Sequence, residues 1–249
     1  MTPEALAPIR CPRCRSTGLR PRDPGRIACP ACSAEFPVID GVPRLAGESY
    51  VASFGRQWNR YDVMRPDEDE AVFRVKTGLD PASLRGQTVL DAGCGGGRYA
   101  ALLGRHGARV IGVDLSDAVV KASALCQDYP DVTILQADLL DLPIADASVD
   151  VAFSIGVLHH SPDPRRAFAE VARCVRPGGR LAVWLYRRNT PPRNGSTRAS
   201  GTHHPDARPG PGTDRRRPGD PGVHPGRQQI AQPPVQLFQP PRLDTPRLR

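Results

Sequence analysis

The stretch Thr88-Val89-Leu90-Asp91-Ala92-Gly93-Cys94-Gly95-Gly96-Gly97-Arg98-Tyr99 decides how the rest of the 249-residue chain is read. A short apolar strand runs into a turn crowded with glycine, and a helix opens at about Arg98. Residues without a side chain let the backbone bend sharply and lie against a ligand, and the amino end of a helix attracts negative charge. A nicotinamide dinucleotide turn, G-x-G-x-x-G, would place glycine at position 98, where this chain has Arg98. Here the spacing is instead Gly93-x-Gly95-x-Gly97 behind the acid Asp91.

Outward from that turn, apolar runs of strand length alternate with helical stretches. The helix after the turn ends near Arg105, with Gly107 placed to stop it. Arg109 to Val113 reads as a second strand, with Ser116 able to cap a helix running to about Gln127. Val132 to Leu135 is a third strand and Val149 to Ser154 a fourth. Pro164 to Val175 is a helix, closed by Pro177-Gly178-Gly179 before a fifth strand, Leu181 to Tyr186. Such alternation predicts an α/β fold, a Rossmann-like, doubly wound parallel sheet whose ligand lies beyond the carboxyl ends of its strands. Asp114 and Asp138 stand at the ends of the second and third strands, as Asp91 does after the first.

These residues together resemble the class I S-adenosylmethionine-dependent methyltransferases, and the resemblance runs through residues 86–187. It includes Val110 to Ser116, Gln136-Ala137-Asp138-Leu139, the run from Ala145 through Ile155 to His160, and Arg176-Pro177-Gly178-Gly179-Arg180-Leu181. The resemblance implies S-adenosyl-L-methionine as cofactor, held by Asp91, Gly93, Gly95, Gly97, Asp114, Leu115, Asp138, Leu139 and Ser154. Asp114 would accept hydrogen bonds from the ribose hydroxyls. Asp138 would contact the adenine amino group, and Leu139 would offer backbone to the ring edge. His159 and His160 follow the fourth strand and are candidates for a catalytic base or an acceptor contact; a structural role in the loop is the alternative.

A second signal lies near the amino end. Cys11-Pro12-Arg13-Cys14 and Cys29-Pro30-Ala31-Cys32 form two C-x2-C pairs with fourteen residues between them. Each pair can grip one edge of a tetrahedron from a tight turn, and four thiolates close the shell of a structural zinc ion. Glu35 to Leu45 then resembles the end of the Trm112-like zinc-ribbon family, whose members are partners and activators of methyltransferases. Ser53-Phe54-Gly55-Arg56-Gln57-Trp58-Asn59 resembles the connector of bacterial proteins that fuse such a ribbon to a methyltransferase. The remaining cysteines, Cys94, Cys126 and Cys174, show no ligand spacing.

The chain thus divides into a ribbon at 8–46, a helical connector at 47–85 with a helix from Pro66 to about Thr77, a cofactor-binding domain at 86–188, and a tail at 189–249. That tail holds 13 of the 28 prolines and ten arginines against four acids, so it carries +6 of the formal +8 charge and leaves +2 for residues 1–188. Its composition reads as disordered. The abrupt change near Arg188 resembles a shifted reading frame or a truncated domain, leaving a sheet of five strands and an uncovered edge. The Met1–Arg10 stretch has no signal-peptide pattern and no membrane span is expected, which points to the cytoplasm. The expected activity is methyl transfer to a small-molecule acceptor. The alternatives are a ribosomal or transfer RNA methyltransferase and a non-catalytic remnant of the fold.

Overall fold

A computed structural model describes residues 3–23, 25–46, 66–185 and 237–238. The connector motif Ser53–Asn59 and nearly all of the 189–249 tail lie outside the described residues. The elements in chain order are α1 (Pro3–Leu6), β1 (Arg20–Asp23), β2 (Arg26–Ala28), β3 (Glu35–Ile39), β4 (Val42–Pro43), α2 (Pro66–Thr77), β5 (Thr88–Ala92), α3 (Arg98–Arg105), β6 (Arg109–Asp114), α4 (Ala118–Leu125), β7 (Val132–Gln136), β8 (Val149–Ile155), α5 (Pro164–Cys174), β9 (Val175–Trp184) and β10 (Leu237–Phe238). Among the described residues, no helix is long and apolar enough to cross a membrane.

Strands β5 to β9 form the expected five-stranded parallel sheet, in the order β9-β8-β5-β6-β7. The order reverses direction at β5, and a ligand crevice in such a sheet opens beside that point, at the carboxyl ends of the strands. Both faces are covered, so neighbouring residues of one strand serve two different cores. Val89, Val110, Ile134 and Val151 pack with Phe73, Ala100, Leu103 and Val119 of the helices on one side. Leu90, Ile111, Leu135 and Ala152 pack on the other side with Ala167, Val171 and Cys174 of α5. This two-sided burial explains why the strands read as continuous apolar runs rather than alternating ones.

The ribbon is an antiparallel sheet in the order β1-β2-β3-β4. Its apolar side chains Leu6, Ile9, Leu19, Ile27 and Leu45 belong to the same buried cluster as Leu90, Ile111 and Leu135 of the large sheet. Backbone bonds reinforce the join. Arg10 N–H donates to the Pro143 carbonyl at 2.9 Å, Ala145 N–H to Pro8 at 2.8 Å, and Leu45 N–H to Gln136 at 2.8 Å. A ribbon too small to bury a core alone therefore completes one on the face that α5 covers.

Three local features differ from the sequence reading. The helix after β6 begins at Ala118, with Asp117 rather than Ser116 at its cap position. The Ser116 hydroxyl donates to Asp114 Oδ1 at 2.7 Å and accepts from Ala118 N–H at 3.4 Å, while Asp117 makes no side-chain cap bond. The last parallel strand starts at Val175 rather than Leu181 and ends at Trp184. Its Pro177-Gly178-Gly179 run lies where the register with β8 slips, Val149 facing Val175 while Val151 faces Arg180. Finally, the edge expected to be uncovered carries a sixth strand, since Leu237 and Phe238 pair antiparallel with Ala182 and Leu181. Two apolar residues in a proline-rich tail are too weak a pattern to be read as a strand without the partner they pair with.

Candidate cofactor site and metal site

The glycine turn is built from backbone conformations that side chains resist. Gly93, Gly95 and Gly97 have φ of +90°, +52° and +83°. A Cβ on Gly93 would lie 2.5 Å from the Val157 methyls, and one on Gly97 would lie 2.8 Å from the Ala122 backbone. The first clash is with the loop after β8 and the second with α4, so the turn is wedged between that loop and that helix. Ala101 N–H donates to the Gly97 carbonyl at 2.8 Å, starting α3 at the turn.

Asp91, Asp114 and Asp138 stand at or just beyond the carboxyl ends of β5, β6 and β7, which are neighbours in the sheet. Asp114 draws the turn toward its strand, because Oδ2 accepts from Gly95 N–H at 2.9 Å. Its Oδ1 accepts from Ser116 N–H at 2.8 Å. Oδ1 also accepts from the Ser116 hydroxyl at 2.7 Å, so of its four lone pairs the group keeps one, on Oδ2, for a ligand hydroxyl. Asp138 Oδ1 accepts from Leu140 N–H at 2.8 Å, fixing the short turn Leu139–Asp141. Leu115 offers its carbonyl to the Gln136 side-chain amide at 3.1 Å.

Asp91 is different in kind. It is 2% exposed, and its Oδ2 has no hydrogen-bond partner within the protein. Burial, reinforced by the charge of Asp114, pushes its carboxyl well above the usual range. An orphaned buried acceptor beside a glycine turn is costly unless a ligand donor or cation meets it. Ser154 is fully buried and donates its hydroxyl to the Ala92 carbonyl at 2.8 Å. That bond ties β8 to the end of β5 beneath the turn.

His159 and His160 lie in a helical turn, Leu158–His160, directly after β8. Their ring centroids are 4.0 Å apart. Burial, and then the neighbouring His160, hold the His159 imidazole below its ordinary pKa of 6.5. A neutral imidazole at that place can accept a proton. Beside the turn, Arg98 pairs with Asp69 of α2, an acid 1% exposed. The pair accounts for arginine at position 98, and sequence reasoning missed it because Asp69 lies 29 positions away in an unremarkable acidic run.

Residues 90–183 match the family model described as a methyltransferase domain. A ubiquinone biosynthesis O-methyltransferase of Coxiella burnetii is 32% identical over 134 residues, covering 53% of this chain and 57% of that protein. An uncharacterized methyltransferase of Mycobacteroides abscessus is 43% identical over 130 residues, covering 51% and 49%. The crystal structure of an S-adenosylmethionine-dependent methyltransferase from Mesorhizobium loti shares 34% identity, covers 40% of this chain and 46% of its own, and gives a TM-score of 0.38. The chain spans about half the length of the curated relatives it matches. Within residues 90–183 the sequence is similar to methyltransferase domains.

In the ribbon, the Sγ atoms of Cys11, Cys14, Cys29 and Cys32 all lie within 4.8 Å of one another. Two knuckles with the same bonding bring them there. Arg15 N–H donates to the Cys11 carbonyl at 2.8 Å and Ser33 N–H to the Cys29 carbonyl at 2.9 Å. Arg15 and Ser33 both take left-handed backbone, with φ of +64° and +58°. Cys11 and Cys32 are 3.7 Å apart and Cys14 and Cys29 3.5 Å. Zinc–sulfur bonds of about 2.3 Å give a tetrahedral edge of about 3.8 Å, so the donor set fits Zn2+. Ser16, which carries no pattern of its own in the sequence, places its hydroxyl 2.9 Å from Cys14 Sγ and 3.2 Å from Cys29 Sγ. That hydroxyl is the main reason the Cys29 thiol falls to about 6 and the Cys14 thiol is also lowered.

Proposed function

We propose that the chain is a cytoplasmic S-adenosylmethionine-dependent methyltransferase acting on a small-molecule acceptor, with a Trm112-like ribbon closed around one structural zinc ion. The observation that carries this reading is the placement of Asp91, Asp114 and Asp138 on three neighbouring strand ends around the wedged glycine turn. The O-methyltransferase relatives favour a small oxygen nucleophile as acceptor. A formal charge of only +2 on residues 1–188 gives no support to RNA.

When bound, S-adenosylmethionine supplies a sulfonium methyl that the acceptor takes as the carbon–sulfur bond breaks, leaving S-adenosylhomocysteine. The residues of this chain bind and orient. Asp114 would accept from a ribose hydroxyl, Asp138 and the Leu139 backbone would take the adenine edge, and residues 93–97 would lie against the nucleoside. Asp91 offers its unpartnered Oδ2, and a cationic ligand beside it would favour the charged form of a carboxyl that burial alone disfavours. Because the leaving group is activated before it binds, alignment and exclusion of water are the main demands on the protein. His159, held neutral, can take the proton that an acceptor hydroxyl loses, and His160 stands beside it. Ser154 keeps the floor of the site in register.

Four thiolates leave no open position on the metal, so zinc would act through structure. Titration calorimetry with S-adenosylmethionine tests the reading. Asp114→Ala is expected to weaken binding by about 1–3 kcal/mol, the worth of hydrogen bonds to a charged acceptor. Absence of binding by the unmodified chain, or equal binding by the variant, would overturn it.

A further inference from the structure

Asp138 and Leu139 sit in a segment whose two ends are fastened in different ways. At its start, Ala137 N–H donates to the Asp114 carbonyl at 3.0 Å, which ties it to β6. Its far end is held by α5. Arg173 Nη2 donates to the Leu142 carbonyl at 2.5 Å, and Nη1 donates to the Ile144 carbonyl at 2.6 Å. The same guanidinium reaches Asp146 at 2.8 Å and Glu170 at 2.6 Å. Glu170 in turn accepts from Leu142 N–H at 3.0 Å. Leu142 and Ile144 are fully buried, so water cannot replace Arg173 at their carbonyls. The ribbon closes from the other side, with Arg10 3.3 Å from Asp146 and the Pro8 and Arg10 backbone bonded to Ala145 and Pro143.

We propose that Arg173 is a positioning residue for the adenine end of the cofactor, acting by clamping Leu142 and Ile144 so that the Asp138–Leu139 turn is presented at a fixed place. This rests on the reading of Asp138 and Leu139 as the adenine contacts. Arg173 touches no cofactor atom in that scheme. Its planar fork meets two carbonyls and two carboxylates at once, which an ammonium cannot do. Asp141 N–H donates to the Asp138 carbonyl at 3.2 Å, so a shift at Leu142 passes directly into the turn that bears Asp138.

The test compares two ligands on the full chain, S-adenosylhomocysteine and S-inosylhomocysteine, in which an oxygen replaces the adenine amino group. The unmodified chain is expected to prefer the adenosyl ligand by about tenfold or more, the worth of one good hydrogen bond to a charged group. In Arg173→Lys that ratio should fall at least about fivefold, with the inosyl affinity changed less than about twofold. A merely structural role would lower the folded fraction and weaken both ligands equally, leaving the ratio untouched, and that result overturns the clamp. Should Arg173→Lys not fold, Asp146→Asn decides. It loosens one partner of the guanidinium on an exposed side chain and should lower the ratio by about twofold; an unchanged ratio there refutes the clamp. If the unmodified chain binds neither ligand, the cofactor reading itself fails, which is distinguishable from binding with no effect of Arg173.

Discussion

Replacing Asp91 with asparagine should make the unliganded protein more stable and the liganded one weaker. The carboxylate is almost completely buried, one oxygen has no partner, and its pKa is raised first by burial and then by Asp114. An unpaired buried polar group costs about 1–3 kcal/mol, and asparagine keeps the shape while removing the charge. A gain of about 1 kcal/mol corresponds to a rise in Tm of about 2–4 °C for a chain of this size. The pH dependence identifies the cause. A carboxyl whose folded pKa lies above the unfolded value of about 3.9 holds its proton more tightly when folded. Its contribution to stability is therefore fully present below about pH 4 and is lost as the pH rises toward the raised value. The amide that replaces it does not titrate, so the Tm advantage of the variant should be small at about pH 4 and widen toward pH 7. Calorimetric scans across that range measure it, and titration with S-adenosylmethionine at neutral pH should show binding weakened by about tenfold or more, as expected when a charged partner is lost. A variant less stable than the parent at every pH, or one that binds the ligand equally well, would refute the account of Asp91 as a group kept for a ligand at the expense of stability.

Metal removal should reach beyond the ribbon, because its apolar residues share a core with β5, β6 and β7. Strong chelation, or Cys29→Ser, is expected to lower the Tm of the whole chain by several degrees, and elemental analysis should find one zinc per chain before treatment and none after it. Gly97→Ala places a Cβ 2.8 Å from the Ala122 backbone at a φ of +83° and should destabilise by about 1–3 kcal/mol, read from denaturant midpoints. If His159 accepts the acceptor's proton, the rate of methyl transfer should rise with pH through a midpoint below 6.5 and be flat above about pH 7, since burial and His160 lower its pKa. His159→Gln should then abolish that limb while leaving cofactor affinity within about twofold, because binding and proton transfer draw on different groups.

Much of the candidate site could be read directly because its pattern is local. A strand followed by Asp91 and the Gly93, Gly95, Gly97 spacing needs no distant partner to be recognised, and the same holds for the two cysteine pairs and the Pro66–Thr77 helix. Ser116 shows the limit. Its type suits a helix cap, and its hydroxyl reaches Ala118 N–H only at 3.4 Å while it is held by Asp114 at 2.7 Å, so the helix itself begins one residue further on, after Asp117. Ser154 looks like a ligand contact from its place at the end of a strand, but its hydroxyl donates to the Ala92 carbonyl. Ser16 and Arg173 could not be singled out at all. One matters through a cysteine pair folded back onto it, and the other through carbonyls about thirty residues earlier.

From the order of residues alone came the parallel sheet, the three strand-end acids and the four-cysteine cluster, because periodicity and short spacings are fixed along the chain. Tertiary structure alone decided that the ribbon shares the core of the larger sheet and that Arg173 holds the Leu142 and Ile144 carbonyls. It also decided that Asp91 is left buried with an unmet oxygen and that Leu237–Phe238 pairs with β9. Each of these depends on which distant groups exclude water from one another, and burial is a property of the folded surface rather than of any stretch of sequence.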